Sequence, residues 1–148
     1  MFLDASAVVA ILAREVLADD LLKRIREAAD PIHYTSITMY EAVVSLARKT
    51  AVSIYEDQVP TPAALLAEVQ ADVEDFMNAI GAIEIPLETG THRLALDAAR
   101  RFGRATGHPA RLNFGDCFAY ATAKALNAPL LFVGEDFART DIAPSLRL

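Results

Sequence analysis

The chain reads as an α/β protein: a three-layer α/β/α domain built on a central, mostly parallel sheet of four or five strands, with a projecting helical hairpin. Three observations predict this. Short apolar runs alternate with longer helical patterns, which is the arrangement of a parallel sheet covered on both faces. The first apolar run stops abruptly at an acid, Asp4. Two amphipathic patterns flank a double-proline break at residues 57–62, and neither carries a core of its own.

The elements follow in order. A first strand is expected at residues 1–4, with Ser6 capping a helix over 6–13. A second helix, 17–29, places Leu17, Leu21, Leu22 and Ile25 on one side and is broken by Asp30-Pro31. After a strand at 32–35, Ser36 or Thr38 caps a third helix running towards Tyr55, with Thr38 and Glu41 at capping-box spacing. A fourth helix, 63–80, aligns Leu65, Leu66, Val69, Val73, Phe76, Met77 and Ile80 and ends at Gly81. The pair, about 37–80, forms the hairpin within a single domain spanning 1–148. A strand at 83–85 stops at Pro86, and a fifth helix covers 91–103. Residues 104–114 form an irregular loop. Asn113 or Phe114 precedes a sixth helix over 115–126, closed by Asn127 and Pro129. A fourth strand at 130–133 leads into the loop Gly134-Glu135-Asp136-Phe137, and a last short strand is expected near 146–148.

Size and composition narrow the class. At 148 residues the chain fits one domain with a sizeable core, and an apolar content of 53% excludes a disordered one. No apolar run approaches the roughly 18–20 residues of a membrane span. No cationic patch precedes the N-terminal apolar stretch, so no signal peptide is expected. The single cysteine, Cys117, forms no internal disulfide, consistent with a reducing cytoplasm. The net charge is −6, but its distribution is uneven. Residues 50–92 hold eight acids and no Lys or Arg, whereas Arg93, Arg100, Arg101, Arg104 and Arg111 follow against Asp97 alone. This predicts either a basic surface on an acidic body or a solvated helix face.

Four acids occupy comparable places: Asp4 ends the first strand, Glu41 opens the third helix, Asp116 opens the sixth, and Asp136 follows the fourth strand. Parallel strands bring all four to one sheet edge, where open α/β sheets bind ligands. Unit charges about 4 Å apart repel by on the order of 4 kcal/mol at intermediate dielectric. One or two Mg²⁺ or Mn²⁺ ions relieve that repulsion through hard oxygen ligands and activate water against a phosphodiester. Individually, Asp116 also fits a first-turn helix acid, Glu41 a capping partner and Asp136 a turn acid. Asp4 is hardest to place otherwise, because its neighbours are apolar. Asp141 follows Thr140 in an expected turn, where it caps backbone groups or supports the site from behind. His33, His92 and His108 are scattered, and Cys117 reads as a buried helix thiol.

At these residues the chain resembles the PIN-domain ribonucleases, specifically the VapC toxins of toxin–antitoxin pairs. MFLDASAVVAIL is similar to that family's opening strand, acid and helix; TSITMYEAVVSL matches the second acid. HPARLNFGDCFAYATAKALNAPLLFVGEDFARTDI carries the most specific likeness, an NFGDC helix start, an apolar strand, an EDF loop and a TD pair. The resemblance implies a PIN-like fold with an acidic metal site on Asp4, Glu41, Asp116 and Asp136, Ser6 as a hydroxyl beside it, and Asn113 ahead of the third acid. It also implies an RNA substrate, a VapB-type antitoxin covering the site, and a homodimer. The apolar faces of residues 37–55 and 63–80 independently favour association with another chain, and the Arg-rich 93–111 stretch is the expected RNA contact. The segment 49–71 is longer than the family's common pattern. Three alternatives stand beside this reading. A dehalogenase-type phosphatase needs an acid where Ser6 stands, and a receiver-like domain needs a Lys beyond Lys124, where there is none. A PIN-like module could bind RNA or protein without cutting.

Overall fold

A computed structural model of the chain describes residues 1–55, 60–142 and 144. The expected strand near 146–148 lies outside the described residues. Ten regular elements appear in the order β1 (Phe2–Leu3), α1 (Ala5–Leu12), α2 (Ala18–Arg26), β2 (His33–Tyr34), α3 (Ser36–Tyr55), α4 (Ala63–Ala79), β3 (Ile83–Glu84), α5 (Thr91–Phe102), α6 (Phe114–Ala125) and β4 (Leu130–Leu131). Short 3₁₀ turns occupy Arg104–Thr106 and Phe137–Arg139.

The four strands form one parallel sheet in the order β3-β2-β1-β4. β1 is therefore internal, paired through Phe2 with His33 on one side and Leu130 on the other. The chain builds outwards to β3 and then crosses to β4, which makes the β1/β4 boundary a topological switch point. Crevices outside the carboxyl ends of strands open at such points. The strands are shorter than their apolar runs, since α1 begins at Ala5 immediately after Asp4 and α3 begins two residues after β2.

Period-two alternation sorts the strand side chains into two cores. Met1, Leu3 and Leu131 pack with α1, α2, α3 and α4, whereas Phe2 and Leu130 pack with α5 and α6. Phe2, Leu3, Leu130 and Leu131 are fully buried, each worth roughly 1.5–3 kcal/mol in transfer from water. Helices on both faces of a parallel sheet give the three-layer α/β/α architecture. The α3–α4 hairpin is anchored in this body, because Ala42, Val43, Leu46, Ala47, Val69, Val73 and Met77 belong to the first core. Towards the end of α3, Val52, Ile54 and Tyr55 are exposed.

Two helix starts differ from the sequence expectation. Asp4, not Ser6, caps α1, accepting the Ser6 N–H at 2.9 Å. α3 begins at Ser36, where Thr35 Oγ1 accepts the Thr38 N–H at 3.5 Å. Thr38 is buried inside the first turn, so it is not the cap and Glu41 is not its capping partner. No helix among the described residues is long and apolar enough to cross a membrane.

Candidate active site

Asp4 is only 4% exposed, yet it carries a carboxylate. Its position follows from β1: the Asp4 N–H still donates to Leu131 O at 3.0 Å, continuing the ladder, while its side chain begins α1. Asp4 Oδ2 accepts from both the Ser6 N–H and the Ser6 hydroxyl, the latter at 2.5 Å. Ser6 Oγ in turn accepts the Val133 N–H at 3.0 Å, which ties the exit of β1 to the exit of β4. Burial raises the Asp4 pKa above the ordinary carboxylate value; the Ser6 bonds oppose that shift, and the charge of Asp136 adds to it.

Asp116 is set by a capping box at the start of α6. Asn113 Oδ1 accepts the Asp116 N–H at 3.0 Å, and Asp116 Oδ2 accepts the Asn113 N–H at 2.7 Å. The helix-acid reading of Asp116 is therefore correct as far as it goes, but the residue also lines a cavity. Burial lifts its pKa to about 6 against the Asn113 bond; the charges of Asp4 and Asp136 push the same way, while Arg104 pulls it down. Glu41 reaches the cavity from α3. Burial, then the charges of Asp4 and Asp116, raise it to about 7.

These three acids, with Ser6, Asn113, Val9, Ser45, Glu15 and Val133, line one hollow of about 310 Å³. None of the ion pairs among the described residues involves Asp4, Glu41 or Asp116. Burying a carboxylate without a compensating charge is costly, and here three elements point carboxylates into one hollow. Asp136 is exposed and does not line the hollow; its charge nevertheless acts on Asp4 and Asp116, which puts it in their electrostatic vicinity. Among the described residues no group of three or more His, Cys, Asp or Glu side chains is placed to hold a metal ion as it stands. The donor chemistry fits a hard divalent cation: buried carboxylate oxygens whose mutual repulsion a cation would relieve.

Three contributors were not singled out from sequence. Gly115 lies so close to Glu41 that a β-carbon there would overlap the carboxyl group. Its sequence signals are its place in the NFGDC helix start and a glycine in the first turn of a helix, where most other residues do better. Glu15 and Ser45 line the hollow without any motif, and Glu15 is held by Lys49 at 2.7 Å.

Other candidates lie elsewhere. Asp141 binds Tyr120 and Arg101 (2.8 Å to Oδ2) and lies 3.4 Å from Lys124 Nζ, instead of backing the acid hollow. Those donors hold its pKa at about 2. Arg101 also neighbours Asp97, and Arg100 lies 3.5 Å from the same carboxylate. Arg93, Arg104 and Arg111 are exposed, and of these the charge of Arg104 acts on Asp116. None of the three histidines lines the hollow. Cys117 is buried, and burial with the Asp116 charge pushes its thiol up to about 11, which removes it as a thiolate nucleophile near neutrality.

A parallel sheet whose switch-point crevice gathers carboxylates from β1, α3 and α6 defines a class of small acid-site α/β domains. The PIN-domain family model matches residues 1–143. A VapC ribonuclease of Rhizobium meliloti is 37% identical over 141 residues, covering 95% of this chain and 98% of that protein. Ribonuclease VapC42 of Mycobacterium tuberculosis is 32% identical over 145 residues, covering 98% of each. The crystal structure of Mycobacterium tuberculosis VapC20, described as a sarcin-ricin loop cleaving toxin, superposes with a TM-score of 0.65. It covers 96% of this chain and 95% of that one at 9% identity, a likeness of fold. The chain belongs to the PIN-domain family, in its VapC branch.

Proposed function

We propose that this chain is a metal-dependent endoribonuclease, the toxin of a toxin–antitoxin pair, that hydrolyses RNA phosphodiesters. The observation carrying this reading is the convergence of Asp4, Glu41 and Asp116 on one hollow, with raised pKa values and no ion pair among the described residues. The ribonuclease names of full-length relatives support it.

Asp4, Glu41 and Asp116 would hold one or two Mg²⁺ or Mn²⁺ ions, with Asp136 adding negative potential nearby. Such a cation supplies Lewis acidity towards water and the attacked phosphoryl group. Ser6 fixes the Asp4 carboxylate by two bonds to one oxygen, which keeps that group oriented. Asn113 does the same for Asp116 through the capping box. In-line attack by water with departure of the 3′-oxygen leaves a 5′-phosphate and a 3′-hydroxyl.

The partners of this reading are RNA, a VapB-type antitoxin and a second copy of the chain, acting in the cytoplasm. Tyr40 (70% exposed), Val44 and Leu66 lie along a hollow on the α3–α4 hairpin, which supports an apolar association surface there.

The test incubates purified chain, free of antitoxin, with structured RNAs in Mg²⁺, Mn²⁺ or chelator, beside Asp4→Asn. Cleavage that requires metal and vanishes in the variant is expected. No cleavage of any RNA, together with no stabilisation by either ion, would leave a binding module in its place.

A further inference from the structure

A second hollow shares a wall with the acid one. It lies between α5 and α6, encloses about 350 Å³, and is lined mainly by Ala95, Leu96, Ala99, Leu112, Phe114 and Phe118. That volume falls in the roughly 300–1,000 Å³ range of small-ligand sites. Asn113, the cap that holds Asp116, lines both hollows. Arg104 carries the only fixed charge among the residues lining this one.

Phe114 is the unusual member. It opens α6 two residues before Asp116, yet its side chain is 68% exposed, tilted against Phe118 with ring centroids 4.9 Å apart. A large ring left in water at the mouth of a mainly apolar cavity marks a contact surface. Its occupant is indicated by what surrounds it. A flat aromatic face, a guanidinium group and a wall shared with the carboxylates suit a ligand that is planar, anionic and continuous with the group in the acid hollow. In a chain of net charge −6, Arg104 supplies the local cation an anionic ligand needs.

Resting on the nuclease reading above, we propose that this hollow is a base pocket. It takes one unpaired nucleobase next to the phosphodiester at the acids, stacked on Phe114, with Arg104 against a neighbouring phosphate. The base must be unpaired, since only splayed nucleotides of loops, bulges and ends offer a free face to an aromatic side chain. Stacking is tolerant of base identity, so the pocket selects for strand exposure before sequence.

The test uses the full chain carrying Asp4→Asn to silence cleavage, and labelled single-stranded RNA hexamers read by fluorescence anisotropy. Hexamers with one abasic nucleotide, moved position by position, locate any base that matters. One abasic position is expected to weaken binding by about 5- to 150-fold, the span of a single base–aromatic stack. Phe114→Ala should weaken the intact hexamer by a similar factor and flatten the abasic profile. Phe114→Leu, which keeps an apolar side chain at this exposed site, makes the same comparison if the alanine variant folds poorly. Arg104→Gln should weaken every hexamer alike and lower the salt dependence by about one phosphate contact.

An unchanged affinity and abasic profile in both Phe114 variants overturns the pocket. So does a Phe114 variant that turns a dimer into a monomer while RNA binding keeps its profile, since a second copy then covers the hollow. The unsubstituted chain separates this proposal from the one beneath it. Metal-dependent cleavage without any base dependence removes the pocket alone; base-dependent binding without cleavage removes the nuclease reading alone.

Discussion

Gly115 and Glu41 touch across the acid hollow: the Glu41 carboxyl rests where a β-carbon of residue 115 would otherwise be. An acid of α3 is thereby seated against the first turn of α6, where backbone N–H groups and the helix dipole favour negative charge.

Gly115→Ala should separate activity from stability. The atoms in the way are the far end of a flexible side chain, so the fold can yield by swinging Glu41 aside. Alanine also costs less than glycine in a helix. The expected result is a melting temperature within a few degrees of the parent and metal-dependent cleavage lower by about a hundredfold, the scale of a roughly 1 Å misplacement. Thermal melts and cleavage rates on the same preparation check it.

Metal-free protein should become more stable as pH falls from 8 to 5. Glu41 and Asp116 have folded pKa values of about 7 and about 6, above their ordinary 4.5 and 3.8. The native state therefore binds more protons than the unfolded one between those limits, and stability declines as pH rises through them. Asp116 alone contributes on the order of 2 kcal/mol to this trend. Urea midpoints in chelator across the range measure it; a flat profile would contradict the buried-acid description.

Mg²⁺ or Mn²⁺ should reverse that dependence. Cations and protons compete for the same oxygens, so the rise in melting temperature on adding metal should be larger at pH 8 than at pH 5. Asp4→Asn should abolish most of the rise while keeping the α1 cap, because an asparagine oxygen caps as well as an aspartate.

Ser6→Ala removes the hydroxyl donor to Asp4 and strands the Val133 N–H. A loss of about 1–3 kcal/mol is expected, typical of leaving a partly buried group unpaired. Asp4 should become harder to ionise, moving the pH at which metal binds upwards. Chemical denaturation and a metal titration at several pH values test both parts.

Asp141→Ala should affect stability, not chemistry. Its carboxylate fastens the loop after β4 to Tyr120, Arg101 and Lys124, at a half-exposed position where ion pairs are worth about 0–1 kcal/mol. Because its folded pKa is depressed to about 2, this contribution is present at neutral pH and is lost as pH falls through that value. Cleavage within about twofold of the parent is expected, in line with the usual behaviour of substitutions away from a site.

Legibility from sequence divided along physical lines. Asp4 could be singled out because an acid ending an apolar run is costly wherever it is buried, and burial follows from local hydropathy. The fourth strand was readable for the same reason, as Leu130 and Leu131 form an apolar run between turn residues, but the order β3-β2-β1-β4 was not. Glu41 is legible as one of the four acids, while its alternative as a capping partner fails: Thr38-x-x-Glu41 has capping spacing, but the helix starts earlier and Thr38 packs inside it. The Gly115–Glu41 contact and the Tyr120–Arg101–Lys124 clasp on Asp141 could not be read. Each joins residues far apart in the chain, and no periodicity records which side chains meet across elements.

The internal position of β1 sets an order of events during synthesis. The first strand made must wait for nearly the last, since Asp4 N–H, Ser6 Oγ and Phe2 all find partners at residues 129–133. A nascent chain still lacking that stretch holds its earliest acid in an unfinished crevice. The crevice is thus closed by contacts between the two extremes of the sheet's connectivity, and it is complete only once residues 129–133 have docked beside β1.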